Sequence, residues 1–343
     1  MKIRKKKRNK MLNASYKLNT KIFDKTPERE SMRVGFGEGL VELGAMSERV
    51  VALCADVTES VQFSHFRKTF PERFVELGVA EQNMASVASG LAAMGKIPFM
   101  ATYATFSPGR NWEQIRTTIC YNNVPVKIVG SHVGVSVGPD GGSHQALEDI
   151  AIMRALPRMT ILSPADIVEA RMAVRAAMKI DGPVYIRLAR NPTVNIFTAK
   201  SPLPSKNAMA LWTPPRKKQA DVGIIATGTM VYEALRAAKE LEKEEIYVTV
   251  LNIFSIKPLD GGMVGRLAKE TGALVVAEEH QQAGGLGGAI AEFLAKKNPT
   301  PIEFVGVKDE FGQSGTIDEL FKHYRLTSDD IVDSVKKVIQ RKV

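Results

Sequence analysis

From about residue 30 onward, the chain alternates short, uniformly apolar segments with longer segments of helical periodicity. Uniformly apolar strands separated by helices are typical of a mainly parallel sheet that helices cover on both faces. Strands are predicted at 50–56, 98–103, 126–131, 159–163, 184–189, 221–227, 246–252, 273–278 and 301–307. Helices are predicted at 33–44, 83–94, 111–121, 145–155, 165–179, 230–243, 261–270 and 286–296, with a last one starting at Thr327 or Ser328.

Residues 191–218 interrupt this alternation with five prolines among mixed polar residues, which is typical of a linker. The fold class is therefore α/β with two domains, each a mostly parallel sheet flanked by helices, and the second domain is the smaller one. We predict a basic disordered tail at 1–25, a first domain at 26–193, a linker at 194–218 and a second domain at 219–343.

The net charge of +10 is concentrated at the N-terminus. Residues 1–10 carry seven cations and no anion, and the rest of the chain carries 40 cations against 37 anions. A short charge run of this kind is usually a solvated tail, so we do not expect nucleic acid as the partner, although RNA or an anionic surface stays an alternative.

No apolar run approaches the roughly 18 residues that cross a bilayer, so no membrane partner is expected. Cys54 and Cys120 lie in apolar segments, which predicts buried free thiols and a cytoplasmic protein.

The segment from Ser131 to Gln145 carries the most unusual chemistry of the chain. His132, Asp140 and His144 lie there on a backbone with four glycines and one proline. The segment follows a predicted strand, and open α/β sheets bind ligands at the carboxyl ends of their strands. Taken alone, the His/Asp/His set could bind a metal ion or handle a substrate through imidazoles that donate or accept protons.

Other candidate residues also follow predicted strands or begin helices, and each has an ordinary structural explanation when taken alone. Glu81 could simply stabilise a helix N-terminus, and Asp56 could cap one. An aromatic ring can be core, a serine a surface hydroxyl and an arginine half of a surface ion pair. The members of this set are Arg33, Asp56, Ser60, Glu81, Tyr103, Phe106 and Arg190. The run Gly284-Gly285-Leu286-Gly287-Gly288 could cradle a phosphate, but it lacks a dinucleotide fingerprint, and a structural role is favoured.

Together these segments resemble the C-terminal half of transketolase, its pyrimidine-binding domain followed by its smaller, three-layer C-terminal domain. The resemblance covers about residues 28–325, and its most specific part is the loop with His132, Asp140, His144 and then Gln145. It implies an enzyme that uses thiamine diphosphate to transfer a two-carbon ketol unit from a ketose phosphate to an aldose phosphate, as in the pentose phosphate pathway.

The resemblance also implies roles on the cofactor side of the site. Glu81 would hydrogen-bond the aminopyrimidine and activate the cofactor. Tyr103 and Phe106 would pack on the pyrimidine ring, because flat apolar faces suit a flat heteroaromatic ligand. Asp56 would lie near the cofactor and the subunit interface. Arg110 follows Phe106 where the sequence departs from single-chain transketolases, so its register is open.

On the substrate side, the resemblance implies contacts with a sugar phosphate. His144, which we also count as catalytic, would contact the hydroxyl or carbonyl end of the donor, and Asp140 a substrate hydroxyl. The phosphate ligands would be Arg33, Ser60, His132 and Arg190. Guanidinium groups suit this task because each can bind two phosphate oxygens at once.

The diphosphate-binding Gly-Asp-Gly motif of the family does not occur in this sequence. We therefore expect a split transketolase whose N-terminal subunit holds the diphosphate and a Mg²⁺ or Ca²⁺ ion. Two chains of each kind would form a heterotetramer, and this chain alone would be inactive, with no metal ligands of its own. The alternatives are the β subunit of a thiamine-diphosphate-dependent 2-oxo-acid dehydrogenase, which lacks the full loop, and a non-catalytic RNA-binding scaffold.

Overall fold

The computed structural model describes residues 11–202 and 207–342. Its strands are β1 Arg29–Glu30, β2 Val50–Cys54, β3 Phe74–Glu76, β4 Ile97–Tyr103, β5 Lys127–Ser131, β6 Thr160–Leu162, β7 Val184–Leu188, β8 Thr193–Val194, β9 Ala208–Trp212, β10 Val222–Ala226, β11 Val248–Ile253, β12 Ser255–Lys257, β13 Leu274–Gln281 and β14 Ile302–Val307.

The α-helices are α1 Met32–Met46, α2 Ser64–Thr69, α3 Glu81–Ala93, α4 Trp112–Gln114, α5 Asp149–Arg154, α6 Ile167–Met178, α7 Met230–Lys243, α8 Gly261–Thr271, α9 Leu286–Lys297, α10 Ile317–His323 and α11 Ser328–Ile339. Helix α4 continues as a π-helix over Ile115–Cys120, and 3₁₀ turns span Ala14–Tyr16, Pro71–Arg73 and Val135–Asp140. Several helix starts have a side-chain cap; Thr327, for example, accepts from the N–H of Asp330 in a capping box, as its position in the sequence predicts. Among the described residues, no helix is both long and apolar enough to cross a bilayer.

Two mostly parallel sheets form the two domains, which confirms the predicted fold class. The first sheet has the order β12-β6-β7-β5-β4-β2-β3, and the second has the order β14-β13-β10-β11-β9. Each sheet has one antiparallel edge strand, β12 on β6 and β9 on β11. Because β12 comes from the second half of the chain, the second domain completes the sheet of the first.

The N-terminal segment and the linker differ from the prediction. Met11, Leu12 and Ile22 are buried in the core of the second domain, where the N–H of Asn13 donates to the carbonyl of Leu211 at 2.9 Å. The predicted disorder over 1–25 therefore does not hold for residues 11–25, while 1–10 lie outside the described residues. The predicted linker 194–218 contains β9, which pairs with the edge of the second sheet. An exposed sheet edge offers unpaired N–H and C=O groups, so a segment without clear periodicity can form a strand there.

The predicted helix at 145–155 begins only at Asp149. Residue Ala146 is instead tied to the start of the preceding loop, since its carbonyl accepts from the N–H of Gly134 at 2.9 Å. This bond folds the two ends of the 132–145 segment together, and it leaves them at the carboxyl ends of β5 and β7.

Candidate active site

Loops at the carboxyl ends of β2, β4 and β5 bring Ser60, Tyr103 and His132 together. The Tyr103 and His132 rings stack with centroids 3.8 Å apart and 20° between their planes. The Tyr103 hydroxyl donates to Ser60 Oγ at 3.2 Å. Three residues that the sequence predicts for one site therefore contact each other.

His132 is held as a neutral ring. It is 2% exposed, its backbone has a φ of +57°, and its Nδ1 lies 2.7 Å from the hydroxyl of Ser131. Burial and the positive charges of Arg33 and Arg190 lower the pKa of His132 from 6.5 to about 3. The ring can therefore donate or accept a hydrogen bond near neutral pH, but it carries no charge.

Two arginines surround this histidine, and both also hold the backbone of the site. The Arg33 guanidinium donates to the carbonyl of Arg190 from Nε at 3.1 Å and from Nη2 at 2.8 Å, and to the carbonyl of Ser60. Burial and the charge of Arg190 lower the pKa of Arg33. The two like charges lie close together, which suits an anionic ligand between them.

Asp140 and His144 lie on the glycine-rich loop after β5. The Asp140 carboxylate lies 3.4 Å from Nη1 of Arg190, which also donates to the carbonyl of Val137 at 2.6 Å. The His144 ring is half-buried and meets the ring of Phe106 edge-on at 5.5 Å. The loop thus joins the arginines to the aromatic part of the site.

Glu81 lies at the first position of α3 and is 5% exposed. Arg110 Nη1 lies 3.5 Å from its carboxylate, and the Arg110 guanidinium lies over the Phe106 ring at 4.4 Å. The Tyr103 and Phe106 rings are nearly parallel, 6.0 Å apart with 13° between them, and half-exposed. A carboxylate beside half-exposed aromatic rings is the arrangement that a flat nitrogen heterocycle would fit.

Asp56 lies farther along the same edge, exposed and with a φ of +60°. Its N–H donates to Glu76 at 2.8 Å, and the Thr58 hydroxyl donates to the same carboxylate at 2.9 Å. Glu76 also accepts from the N–H groups of Leu77 and Gly78. Glu76, which the sequence did not single out, therefore joins the loop after β2 to the loop that leads to Glu81.

The glycine-rich run at 284–288 and the strand residue Arg187 both have internal partners. The N–H groups of Leu286 and Gly287 donate to the buried Glu278 carboxylate at 2.6 and 2.8 Å, so an internal anion satisfies the glycine-rich helix start. Arg187 forms a buried ion pair with Asp149 at 2.8 Å. Within the described residues, no group of three or more His, Cys, Asp or Glu side chains is placed to hold a metal ion.

Comparison with known protein families gives two consecutive matches. Residues 29–194 match the family described as transketolase, pyrimidine binding domain, and residues 213–331 match transketolase, C-terminal domain.

Known relatives of similar length cover nearly the whole chain. A putative transketolase C-terminal section from Methanocaldococcus jannaschii is 40% identical, covering 91% of this chain and 97% of its own length. A 6-deoxy-6-sulfo-D-fructose transketolase subunit from Clostridium sp. is also 40% identical, with 93% of this chain and 98% of its own length covered. A solved structure described as a split gene transketolase, inactive beta4 tetramer, is similar with a TM-score of 0.84 and 43% identity, over 91% of this chain and 99% of that one.

Proposed function

The chain belongs to the transketolase family, and we propose that it is the C-terminal subunit of a split transketolase, supplying the pyrimidine half of a shared active site. The observation that carries this proposal is the buried Glu81 carboxylate, linked through Arg110 to the parallel, half-exposed rings of Tyr103 and Phe106. The relatives of matching length, which are themselves C-terminal sections or subunits, support a partner subunit.

Thiamine diphosphate, when bound, supplies the carbanion chemistry that ketol transfer needs. On this chain, Tyr103 and Phe106 would pack on the aminopyrimidine and exclude water from one of its faces. Glu81 would share a proton with a ring nitrogen, and Arg110 would keep that carboxyl oriented at the start of α3. Asp56 would lie beside the cofactor at the subunit boundary. The partner would hold the diphosphate and its Mg²⁺ or Ca²⁺ ion.

The substrate would be a sugar phosphate bound over the loop of Asp140 and His144. The positive charges of Arg33 and Arg190 flank a neutral His132, which gives a phosphate two cationic groups and a hydrogen-bonding ring. Ser60 would add a hydroxyl. Asp140 would then contact a sugar hydroxyl, and His144 would contact the reacting end of the donor.

The pentose phosphate pathway is the simplest setting, although relatives of this chain act on other sugars. Two copies of this chain and two of the partner would form a heterotetramer in the cytoplasm, since each site needs both surfaces. The 2-oxo-acid dehydrogenase alternative is not favoured, because the named relatives are transketolase chains.

The test is ketol transfer by the purified chain mixed with its partner subunit, with fructose 6-phosphate as donor and ribose 5-phosphate as acceptor. We expect sedoheptulose 7-phosphate and erythrose 4-phosphate only when both chains and thiamine diphosphate are present. Glu81→Gln should lower kcat by about 10²–10⁴-fold, because general acid–base catalysis contributes that much.

The matched control is Glu113→Gln, at an exposed glutamate of α4, which should leave kcat unchanged. Oxidative decarboxylation of pyruvate by the complex, without ketol transfer from any sugar phosphate, would overturn the proposal. Equal losses of kcat in Glu81→Gln and Glu113→Gln would show that Glu81 does not activate the cofactor.

A further inference from the structure

The second domain touches the start of the loop at 132–145, which we call the substrate loop, through one buried carboxylate. Glu279, on β13, accepts the N–H of Ser136 at 2.6 Å with Oε1 and the Thr229 hydroxyl at 2.6 Å with Oε2. The side chain is buried, and its own carbonyl accepts from Arg187 at 2.8 Å. The first turn of the loop is therefore fixed by a residue that lies 143 positions farther along the chain.

The end of the same loop is joined to the second domain by Gln145, which is 4% exposed. Its amide Nε2 donates to the carbonyl of Val135 at 3.1 Å and to that of Gln313 at 3.0 Å, and it lies 3.4 Å from the carbonyl of Gly138. Carbonyls surround this nitrogen, so the amide orientation is set by its neighbours. One side chain thus links both ends of the loop to the segment before α10.

Glycine leaves the space that both contacts occupy. A Cβ on Gly134, which has a φ of +74°, would overlap Oε1 of Glu279. A Cβ on Gly312 would overlap Oε1 of Gln145. Each buried polar side chain therefore rests directly on backbone of the opposite domain or loop, where no larger residue leaves room.

Two of the residues proposed to bind substrate, Asp140 and His144, lie between these two contacts. The Val137 carbonyl accepts from Arg190, Asp140 lies against the same guanidinium, and His144 immediately precedes Gln145. Strand β13 adds a main-chain bond nearby, from the N–H of Gln281 to the carbonyl of Leu147 at 2.8 Å. A shift of the second domain would therefore move Asp140 and His144 relative to Tyr103.

We propose that Glu279 and Gln145 are positioning residues, through which the second domain holds the substrate loop in the geometry that binds the sugar phosphate. The identity of the substrate rests on the proposed function. The hydrogen bonds that position the loop lie within this chain and do not depend on it. It gives the second domain a direct part in substrate affinity.

In the complex with the partner subunit, Glu279→Ala should raise the KM for the sugar phosphate roughly tenfold, because a hydrogen bond to a charged group is lost. We expect the affinity for thiamine diphosphate to be unchanged, since neither contact lies at the residues proposed to hold the cofactor. Glu279→Gln should restore the KM, because its Oε1 can still accept from Ser136 and its Nε2 can donate to Thr229. Gln145→Met, which keeps the volume but removes the donor, should act like Glu279→Ala.

The matched control is Gln282→Ala, because this amide bonds the Phe304 and Gly306 carbonyls within the second domain only. Hydrogen exchange over residues 132–145 of the chain alone gives a readout without activity: Glu279→Ala and Gln145→Met should accelerate it, and Gln282→Ala should not. Unchanged exchange in both positioning variants, or an equal rise in KM for Glu279→Ala, Glu279→Gln and Gln282→Ala, would overturn the inference. If the wild-type complex showed no ketol transfer, the proposed function would be contradicted. The hydrogen-exchange result would still test whether Glu279 and Gln145 position the loop.

Discussion

The neutral state of His132 follows from its position among cations rather than from its own chemistry. The ring is buried beside Arg33 and Arg190, and both burial and like charge oppose its protonation. Its left-handed backbone conformation turns the ring back onto Tyr103. A histidine in this place can hydrogen-bond an anion without adding a third positive charge.

This arrangement predicts an acid-dependent loss of stability. The folded-state pKa is about 3 against 6.5 for the free side chain, so below pH 6.5 the unfolded chain binds the proton first, and stability falls until pH approaches 3. His132→Asn, which tolerates the positive φ, should remove this contribution. Between pH 7 and 5, wild type should lose about 2 kcal/mol more unfolding free energy than the variant, as measured by urea unfolding. Parallel pH profiles for the two proteins would contradict the assignment.

Among the elements, the segment 11–25 packs against the edge of the second sheet although its sequence shows no helical or strand periodicity. Leu12, Leu18 and Ile22 are buried against the second domain, and Phe23 meets Trp212 of β9 edge-on at 5.9 Å. The segment and β9 therefore stabilise each other. Neither would be stable as an isolated strand or turn.

Deleting residues 1–25 should therefore destabilise the chain, while deleting 1–10 serves as the matched control. Each large apolar side chain lost from the core costs about 2 kcal/mol, so three of them should lower Tm by more than about 5 °C. Differential scanning calorimetry of the two truncated chains measures this. A Tm for the longer deletion equal to that of the shorter one would show that the packing of 11–25 adds no stability.

At the scale of the whole molecule, the two domains share buried apolar and polar groups. One apolar cluster includes Ile128 of the first sheet and Ile225 of the second. At the junction, Glu169 accepts from Asn252 at 2.8 Å, and burial with the nearby Asp166 raises the pKa of Glu169 to about 8. These groups tie the domains together, so we expect them to unfold as one unit.

The Arg187–Asp149 ion pair should contribute measurably to the unfolding free energy through this junction between the domains. Arg187→Met leaves a buried carboxylate without its cation and should cost about 3–5 kcal/mol. In the double variant with Asp149→Leu, the carboxylate that faces Arg187 is removed as well, so the total cost should be less than the sum of the two single costs. A double-mutant cycle by urea unfolding measures the coupling, and strict additivity would mean that the pair does not interact. Lys243→Met, at an exposed helix pair, is the matched control and should cost less than about 1 kcal/mol.

The amino-acid sequence by itself determined the α/β class and most of its elements, because those depend on neighbours in the chain. Helix α7 was predicted at 230–243 and spans Met230–Lys243, and the loop of His132 and His144 was predicted at a strand's carboxyl end. The resemblance to transketolase was also readable from short motifs, and the family matches confirm it. The roles of the individual site residues stay predictions.

Only the tertiary structure decided which distant residues meet. No local pattern marks Glu279 as the partner of Ser136, β12 as a strand of the first sheet, or Ile22 as core of the second domain. Periodicity reports contacts three or four residues apart in a helix and alternation in a strand. Contacts between segments far apart in the sequence arise only when sheets, edges and loops are placed together. That placement brings His132 into contact with Tyr103 and brings Tyr103 to Ser60, which local patterns could not show.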